Sequence, residues 1–195
     1  MPRATRTDLP PGYRYIPHFL SESEERELLC HLQSIVFAEV RMHGVVAKRR
    51  VAHLGWIYGY NSWKIAPGPP MPDRLQPLQE RVVTLIDVTP TVLEQALVTY
   101  YPVGAGIGWH CDAPMFGPAV AGVSLLGSCR LRFQQRPDLK REVFEAPLEP
   151  RSAHILSGAA RDSWQHSIPA TKEPRFSVTF RTVKHTGSAP SAVSQ

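Results

Sequence analysis

With 195 residues, 43% of them hydrophobic and 20% charged, the sequence has the composition of one globular domain with a substantial core. No run of 18 or more apolar residues is present, which predicts no membrane-spanning helix, and three widely spaced cysteines argue against a disulfide framework or a zinc site. The net charge of +5 permits a polyanionic partner without establishing one. We expect a soluble cytoplasmic protein and a monomer.

The N-terminal segment predicts a loose arm, a strand and a helix. Residues 1–12 are polar and proline-containing, and we expect them to be flexible. Alternating aromatic and polar residues over 13–20 are typical of a strand. Ser21 and Glu24 have the spacing of a capping box, and leucines at helical intervals follow, which predicts a helix over 22–34.

Residues 37–60 contain short β-type runs broken by glycines. Alternate aromatic residues near the end of this region would share a strand face and could form a stacking surface, although core packing is the plainer interpretation for at least one of them. These aromatic residues are Trp56, Tyr58 and Tyr60.

A second helix is predicted over 74–87, with Asp73 as its cap, and the chain beyond it is predominantly β. Two helices followed by eight short strands predict an α+β domain over 13–183, with the helices packed on a jelly roll. Residues 184–195 are expected to form a disordered tail. The predicted strands are 95–101, 107–112, 120–126, 129–134, 142–146, 152–157, 163–168 and 175–183.

His110 and Asp112 are the first candidates for a metal site. On a strand, residues two apart point to the same face, so an imidazole and a carboxylate could reach one ion. Together with one more histidine they would form a two-histidine, one-carboxylate triad, which suits Fe(II). The plainer alternative is a satisfied surface pair. Of the downstream histidines, His166 lies on a predicted strand, His154 looks structural or close behind the ligands, and His185 is in the tail.

Arg175 and Arg181 lie on one face of the last predicted strand, together with Ser177 and Thr179. Arginines that point into a barrel are costly unless anions pair with them, and a dicarboxylate would meet that need. A basic outer strand face is the alternative.

These motifs, taken in order, resemble the AlkB-like family of Fe(II)- and 2-oxoglutarate-dependent dioxygenases over about residues 13–183. The specific parts are Tyr101-x-x-Gly104 leading into His110-x-Asp112, then Trp164-Gln165-His166, then Arg175-x5-Arg181. The resemblance implies a double-stranded β-helix. It also implies that His110, Asp112 and His166 bind iron, with 2-oxoglutarate and O2 as co-substrates.

The resemblance implies further roles around the co-substrate. Tyr101 and Arg175 would hold the far carboxylate of 2-oxoglutarate, and Arg181 would lie near its substrate end. Thr99 stands where many members have an asparagine that binds the carboxylate near the metal, so this chain departs from the family pattern there.

The implied reaction is oxidative N-dealkylation, and nucleobases in DNA or RNA are the first expected substrate. Residues 37–60 occupy the place of the family's nucleotide-recognition lid, where Lys48, Arg49 and Arg50 could contact phosphates. Three alternatives stay open: a demethylase or hydroxylase of protein side chains, a catalytically silent nucleic-acid-binding module, and a zinc hydrolase. The last lacks a His-Glu-x-x-His motif.

Overall fold

The computed structural model of the chain describes residues 9–42, 44–60, 62–86, 88, 92–135 and 142–184. The predicted N-terminal arm overlaps these residues only at 9–12, and the predicted tail overlaps them only at Lys184. Both assignments stay predictions, and His185 lies outside the described residues.

The described residues form thirteen strands. In chain order they are β1 (Tyr13–Ile16), β2 (Ala38–Met42), β3 (Val45–Leu54), β4 (Trp56–Tyr58), β5 (Ile65–Pro67), β6 (Gln95–Tyr101), β7 (Ile107–His110), β8 (Phe116–Leu125), β9 (Cys129–Gln135), β10 (Phe144–Leu148), β11 (Ala153–Ser157), β12 (Trp164–Ile168) and β13 (Arg175–Val183).

Two antiparallel sheets make up most of the domain. The large sheet has the strand order β1-β11-β8-β13-β6-β3-β2, and the small sheet has the order β10-β9-β12-β7. A core cluster joins residues of both sheets, among them Tyr101 and Leu156 of the large sheet and Phe133 of the small one, so the sheets pack face to face. The hairpin of β4 and β5 forms a separate two-stranded sheet.

The two long helices cover the outer face of the large sheet. They are α1 (Glu22–Gln33) and α2 (Gln76–Ile86), and their buried leucines and valines share a core cluster with Val178 and Phe180 of β13. The predicted α+β jelly roll with two supporting helices is therefore confirmed. No helix within the described part of the chain is long and apolar enough to cross a bilayer.

The capping box of α1 is confirmed, because the Ser21 side chain accepts a hydrogen bond from the Glu24 amide while the Glu24 side chain accepts one from the Ser21 amide. Asp73 as the cap of the second helix is wrong. Asp73 begins a 3-10 turn instead, and its carboxylate accepts a hydrogen bond from the Gln76 side chain, so α2 begins two residues later than predicted.

Several predicted strand boundaries also differ from the structure. The strand predicted over 107–112 ends at His110, so Asp112 lies in the loop beyond β7. The strand predicted over 120–126 begins earlier, at Phe116, because Phe116 pairs with Val183 of β13 beyond a register shift. A short helix, α3 (Gly158–Asp162), was not predicted from the sequence.

Candidate active site

The inner face of the large sheet carries the polar residues of the site. Residues directly opposite each other in an antiparallel pair project to the same face, and residues two apart on one strand do so as well. β13 lies in register with β6 and with β8, so one face collects side chains from all three strands. The opposed pairs of β13 and β6 are Arg175 with Tyr101, Ser177 with Thr99, Thr179 with Leu97 and Arg181 with Gln95.

His110 and His166 come together because β7 and β12 are neighbours in the small sheet. The two histidines oppose each other in the strand register, and their ring centroids lie 4.2 Å apart. Asp112 follows two residues after the end of β7, and its Oδ2 lies 3.7 Å from His166 Nε2. The structure therefore gathers the three predicted ligands at one place, although 54 residues separate Asp112 from His166 along the chain.

Charge and burial keep these groups in the ionisation states that metal ligands need. Burial opposes ionisation of Asp112, yet the Arg181 charge, followed by His166 and His110, holds its pKa at about 2. Burial, and next the neighbouring His110, lowers the pKa of His166 to about 4. Burial also lowers the pKa of His110. At neutral pH the site thus presents one carboxylate and two imidazoles with free lone pairs.

Two contacts orient these side chains. His110 Nδ1 lies 2.9 Å from the Gly108 carbonyl, and a proton on Nδ1 would leave Nε2 as the free lone pair. Arg181 donates a hydrogen bond of 3.1 Å from Nη2 to Asp112 Oδ1, so Oδ2 faces the histidines. The Arg181 guanidinium also stacks on the Phe116 ring at 4.7 Å and is therefore fixed from a second side.

An orphaned carboxylate oxygen in this cluster fits a bound cation. Asp112 Oδ2 is buried without a hydrogen-bond partner and faces His166 Nε2, and two imidazole nitrogens with one carboxylate oxygen are a donor set that suits Fe(II). Within the described residues, however, no group of three or more His, Cys, Asp or Glu side chains is placed so that it could hold a metal ion as it stands. The ligand roles of the three residues stay a prediction.

Arg175 forms the second part of the site, at the opposite end of β13 from Arg181. It is fully buried, with 0% of its surface exposed, and its guanidinium lies 4.9 Å above the Tyr101 ring. Its Nη2 donates to Ser124 Oγ at 3.0 Å, whereas Nε and Nη1 have no partner. A buried guanidinium with two unused donors is a site for an anion such as a carboxylate. Thr99, 3% exposed, lies two residues before Tyr101 on the same inner face.

Aromatic residues border the Arg181 end. The Tyr58 ring packs edge-on against Tyr60 at 5.2 Å and against Phe116 at 5.9 Å. Phe116 was missed from the sequence, because only the register of β8 brings it beneath Arg181. Trp56 is partly buried at the start of β4, and Trp63, 61% exposed, lies in the loop between β4 and β5.

The structure separates the two arginines that were predicted to contact phosphates. Arg50 is exposed, but Arg49 retains only 8% of its surface and lies on the inner face of β3. Strand alternation turns it inward, away from the exposed face of Arg50, and its phosphate contact stays a prediction. Its charge acts on Tyr60 and Tyr101, both of which line the interior. Lys48 and Arg50 are the exposed cations of this stretch.

Comparison with known proteins places this arrangement in a family context. The family model described as 2OG-Fe(II) oxygenase superfamily matches residues 12–181. A solved structure of OsALKBH1 superimposes with a TM-score of 0.73 at 16% identity, covering 90% of this chain and 98% of that one, which shows a shared fold.

Two curated relatives are similar in sequence. One is the "Alkylated DNA repair protein ALKBH8 homolog" of Arabidopsis thaliana, 27% identical over 83% of this chain. The other is the "Probable RNA/DNA demethylase ALKBH6" of Danio rerio, 31% identical over 77% of this chain. The matches span 52% and 61% of the lengths of these two relatives.

Proposed function

This chain belongs to the 2OG-Fe(II) oxygenase superfamily and is AlkB-like within it, and from that premise we propose that it oxidatively removes N-linked alkyl groups from nucleic-acid bases. One observation carries the proposal. A single barrel interior combines His110, Asp112 and His166, within a few ångströms of one another, with a fully buried Arg175 that has two unused donors.

The chain's own residues would each have a distinct task. His110, Asp112 and His166 would hold Fe(II), and Arg181 would keep Asp112 ionised and turned toward the ion. Arg175 would bind the far carboxylate of 2-oxoglutarate, with Tyr101 beneath the guanidinium. When bound, the metal and co-substrate supply the oxidising chemistry: 2-oxoglutarate and O2 become succinate and CO2, and the N-alkyl carbon is hydroxylated and then lost as an aldehyde.

The surroundings of Arg181 support a nucleobase as the substrate. Tyr58, Tyr60 and Phe116 offer aromatic surfaces beside the carboxylate end of the proposed metal site, where a base removed from its stack could pack. Lys48 and Arg50 add exposed positive charge on β3 for backbone phosphates. The two relatives named above are described as a DNA repair protein and as a probable RNA/DNA demethylase.

The test is metal binding followed by turnover. We expect calorimetry to show that His110→Ala, Asp112→Ala and His166→Ala each weaken Mn(II) binding at least a hundredfold, whereas Asp73→Asn, a change at an exposed carboxylate, leaves it unchanged. Succinate and formaldehyde release with Fe(II) and 2-oxoglutarate is then measured over methylated DNA and RNA oligonucleotides, with a methylated histone peptide alongside. Wild-type affinity for Mn(II) in all three alanine variants would refute the site. If only the peptide stimulated succinate release, the substrate would be a protein and not a nucleic acid.

A further inference from the structure

His154 is a buried histidine to which the proposed reaction assigns no role. It lies on β11 opposite Gly122 of β8, and Gly122 in turn lies opposite Thr179 of β13. Opposed residues share a face, so His154 projects to the same inner face as Thr179 and, by strand alternation, as Arg175. A leucine would fill a core position of this kind without a polar cost, so an imidazole there requires an explanation.

Gly122 makes the room that the imidazole occupies. A Cβ atom at Gly122 would lie 2.2 Å from His154 Cε1 and 2.7 Å from Nε2, which no packed side chain tolerates. The ring therefore lies directly over the backbone of β8. Because β8 runs between β11 and β13, the imidazole extends from its own strand toward the strand that carries Arg175.

Arg175 reaches the same strand from the other side. Its Nη2 hydrogen bonds to Ser124, which is two residues after Gly122 and on the same face of β8. Two residues along a strand span about 7 Å, so the guanidinium and the imidazole lie over neighbouring positions of one strand. A small anion between them can contact both groups.

Both groups also have unused hydrogen-bonding atoms. His154 Nδ1 is buried without a partner, as are Arg175 Nε and Nη1. Burial, and next the Arg175 charge, lowers the pKa of His154 to about 3, so the ring is neutral and carries one N–H. A neutral N–H beside a guanidinium is a hydrogen-bond donor for a carboxylate that the guanidinium already holds, since a carboxylate accepts about four hydrogen bonds.

We propose that His154 is a co-substrate-binding residue that donates a hydrogen bond to the 2-oxoglutarate carboxylate held by Arg175. This inference rests on the proposed function and adds a contact to it. It assigns Gly122 a part in the same site, because any larger residue there would displace the imidazole.

The experiment compares two ligands that differ only at the far carboxylate. Calorimetry on the Mn(II)-loaded protein measures the affinity for 2-oxoglutarate and, by competition, for 2-oxopentanoate, in which a methyl group replaces that carboxylate. For His154→Leu we expect 2-oxoglutarate to bind roughly tenfold more weakly, the lower end of the effect of a hydrogen bond to a charged group. We expect the affinities for 2-oxopentanoate and Mn(II) to stay unchanged.

His53→Leu is the matched control. His53 is a second neutral histidine on the inner face, in the same row as His154 and Thr179 but on β3, and we expect its replacement to leave the 2-oxoglutarate affinity unchanged. His154→Gln retains a donor and is expected to recover part of the lost affinity. If the leucine variant does not fold, His154→Met, which also lacks a side-chain donor, is the test variant.

Three results would overturn the inference. One is an unchanged 2-oxoglutarate affinity in His154→Leu. Another is an equal loss for 2-oxoglutarate and 2-oxopentanoate, which would mean that the imidazole only shapes the pocket. In either case the proposed function would stand, provided that the wild-type protein binds 2-oxoglutarate in a metal-dependent way. Failure of the wild-type protein to bind it would overturn the proposed function and the inference together.

Discussion

Replacing Arg175 with methionine should separate the binding of the co-substrate from the stability of the fold. The guanidinium is fully buried, and two of its donor atoms have no partner in the chain. Each unpaired buried donor destabilises the folded state by about 1–3 kcal/mol. The hydrogen bond to Ser124 and the contact with the Tyr101 ring together stabilise it by about as much as one such donor destabilises it. Because methionine has a similar length and no polar atoms, the ligand-free variant should unfold at the same temperature as the wild type or at a higher one.

The effect on ligand binding should be the opposite. Two charge-assisted hydrogen bonds to a carboxylate contribute about 3–6 kcal/mol, so the affinity for 2-oxoglutarate should fall about 10²- to 10⁴-fold. At a concentration one hundred times the dissociation constant, 2-oxoglutarate should raise the unfolding temperature of the metal-loaded wild type by about 5–10 °C. It should not shift that of Arg175→Met.

The assay is a thermal unfolding series with and without 2-oxoglutarate, supported by calorimetric affinities. Arg50→Met is the matched control, because Arg50 is an exposed arginine on the neighbouring part of the large sheet. We expect this control to bind 2-oxoglutarate as the wild type does. The reasoning would be refuted if Arg175→Met bound 2-oxoglutarate within about threefold of the wild type. A large loss of stability in the ligand-free variant would show instead that the guanidinium supports the fold.

Three further predictions concern stability. Ser21→Ala removes the α1 cap and should lower the free energy of unfolding by about 1 kcal/mol in urea titrations; no change would mean that the cap contributes nothing. Gly55→Ala should destabilise the fold far more than Gly44→Ala. Both glycines have positive φ, but a Cβ at Gly55 would lie 1.8 Å from the Glu94 carbonyl oxygen, whereas Gly44 has open space. Equal losses in the free energy of unfolding, measured by urea titration, would contradict this prediction. Finally, burial lowers the pKa of His53 to about 4 and that of His154 to about 3, from the ordinary value of 6.5. At pH values between the folded and unfolded pKa, the unfolded chain binds more protons than the folded one. The free energy of unfolding should therefore fall as the pH drops from about 6.5 toward 4, by up to about 1.4 kcal/mol per pH unit for each histidine. The double leucine variant should show a shallower pH dependence between pH 5 and 7.5, and an equally steep one would count against these pKa values.

Local patterns in the sequence predicted the elements well wherever one pattern dominated. The capping box and leucine spacing located α1, and strict alternation located β13 with the observed boundaries. The prediction of Asp73 as a helix cap failed because aspartate suits both a cap position and the first residue of a 3-10 turn. Only the backbone conformation after Pro72 distinguishes the two positions. The five-residue helix α3 is too short to show a periodicity.

The candidate site was predictable where motifs carry its chemistry and was not where strand register decides it. His110, Asp112 and His166 could be chosen from their residue types and their order in the family pattern. Alternation shows that Arg49 and Arg50 face opposite ways, but the sequence does not show which of them faces inward, and both were therefore candidates for phosphate contacts. The pairing of β11 with β8 likewise turns His154 toward the interior, and no local signal reports that register.

Register also explains why the two arginines of β13 have different partners. Arg181 lies six residues after Arg175, about 20 Å along a strand, so the two guanidinium groups cannot hold the same carboxylate. The two guanidinium groups have different contacts. Arg175 donates to Ser124 and lies over the Tyr101 ring, and two of its donor atoms stay unpaired. Arg181 donates to Asp112 and Gln95. Arg181 therefore keeps the carboxylate ionised where a cation is expected, and the unused donors for an anion lie at the Arg175 end. An interior with a cation site at one end and an anion site at the other fits a chelating dicarboxylate better than a ligand with a single charge.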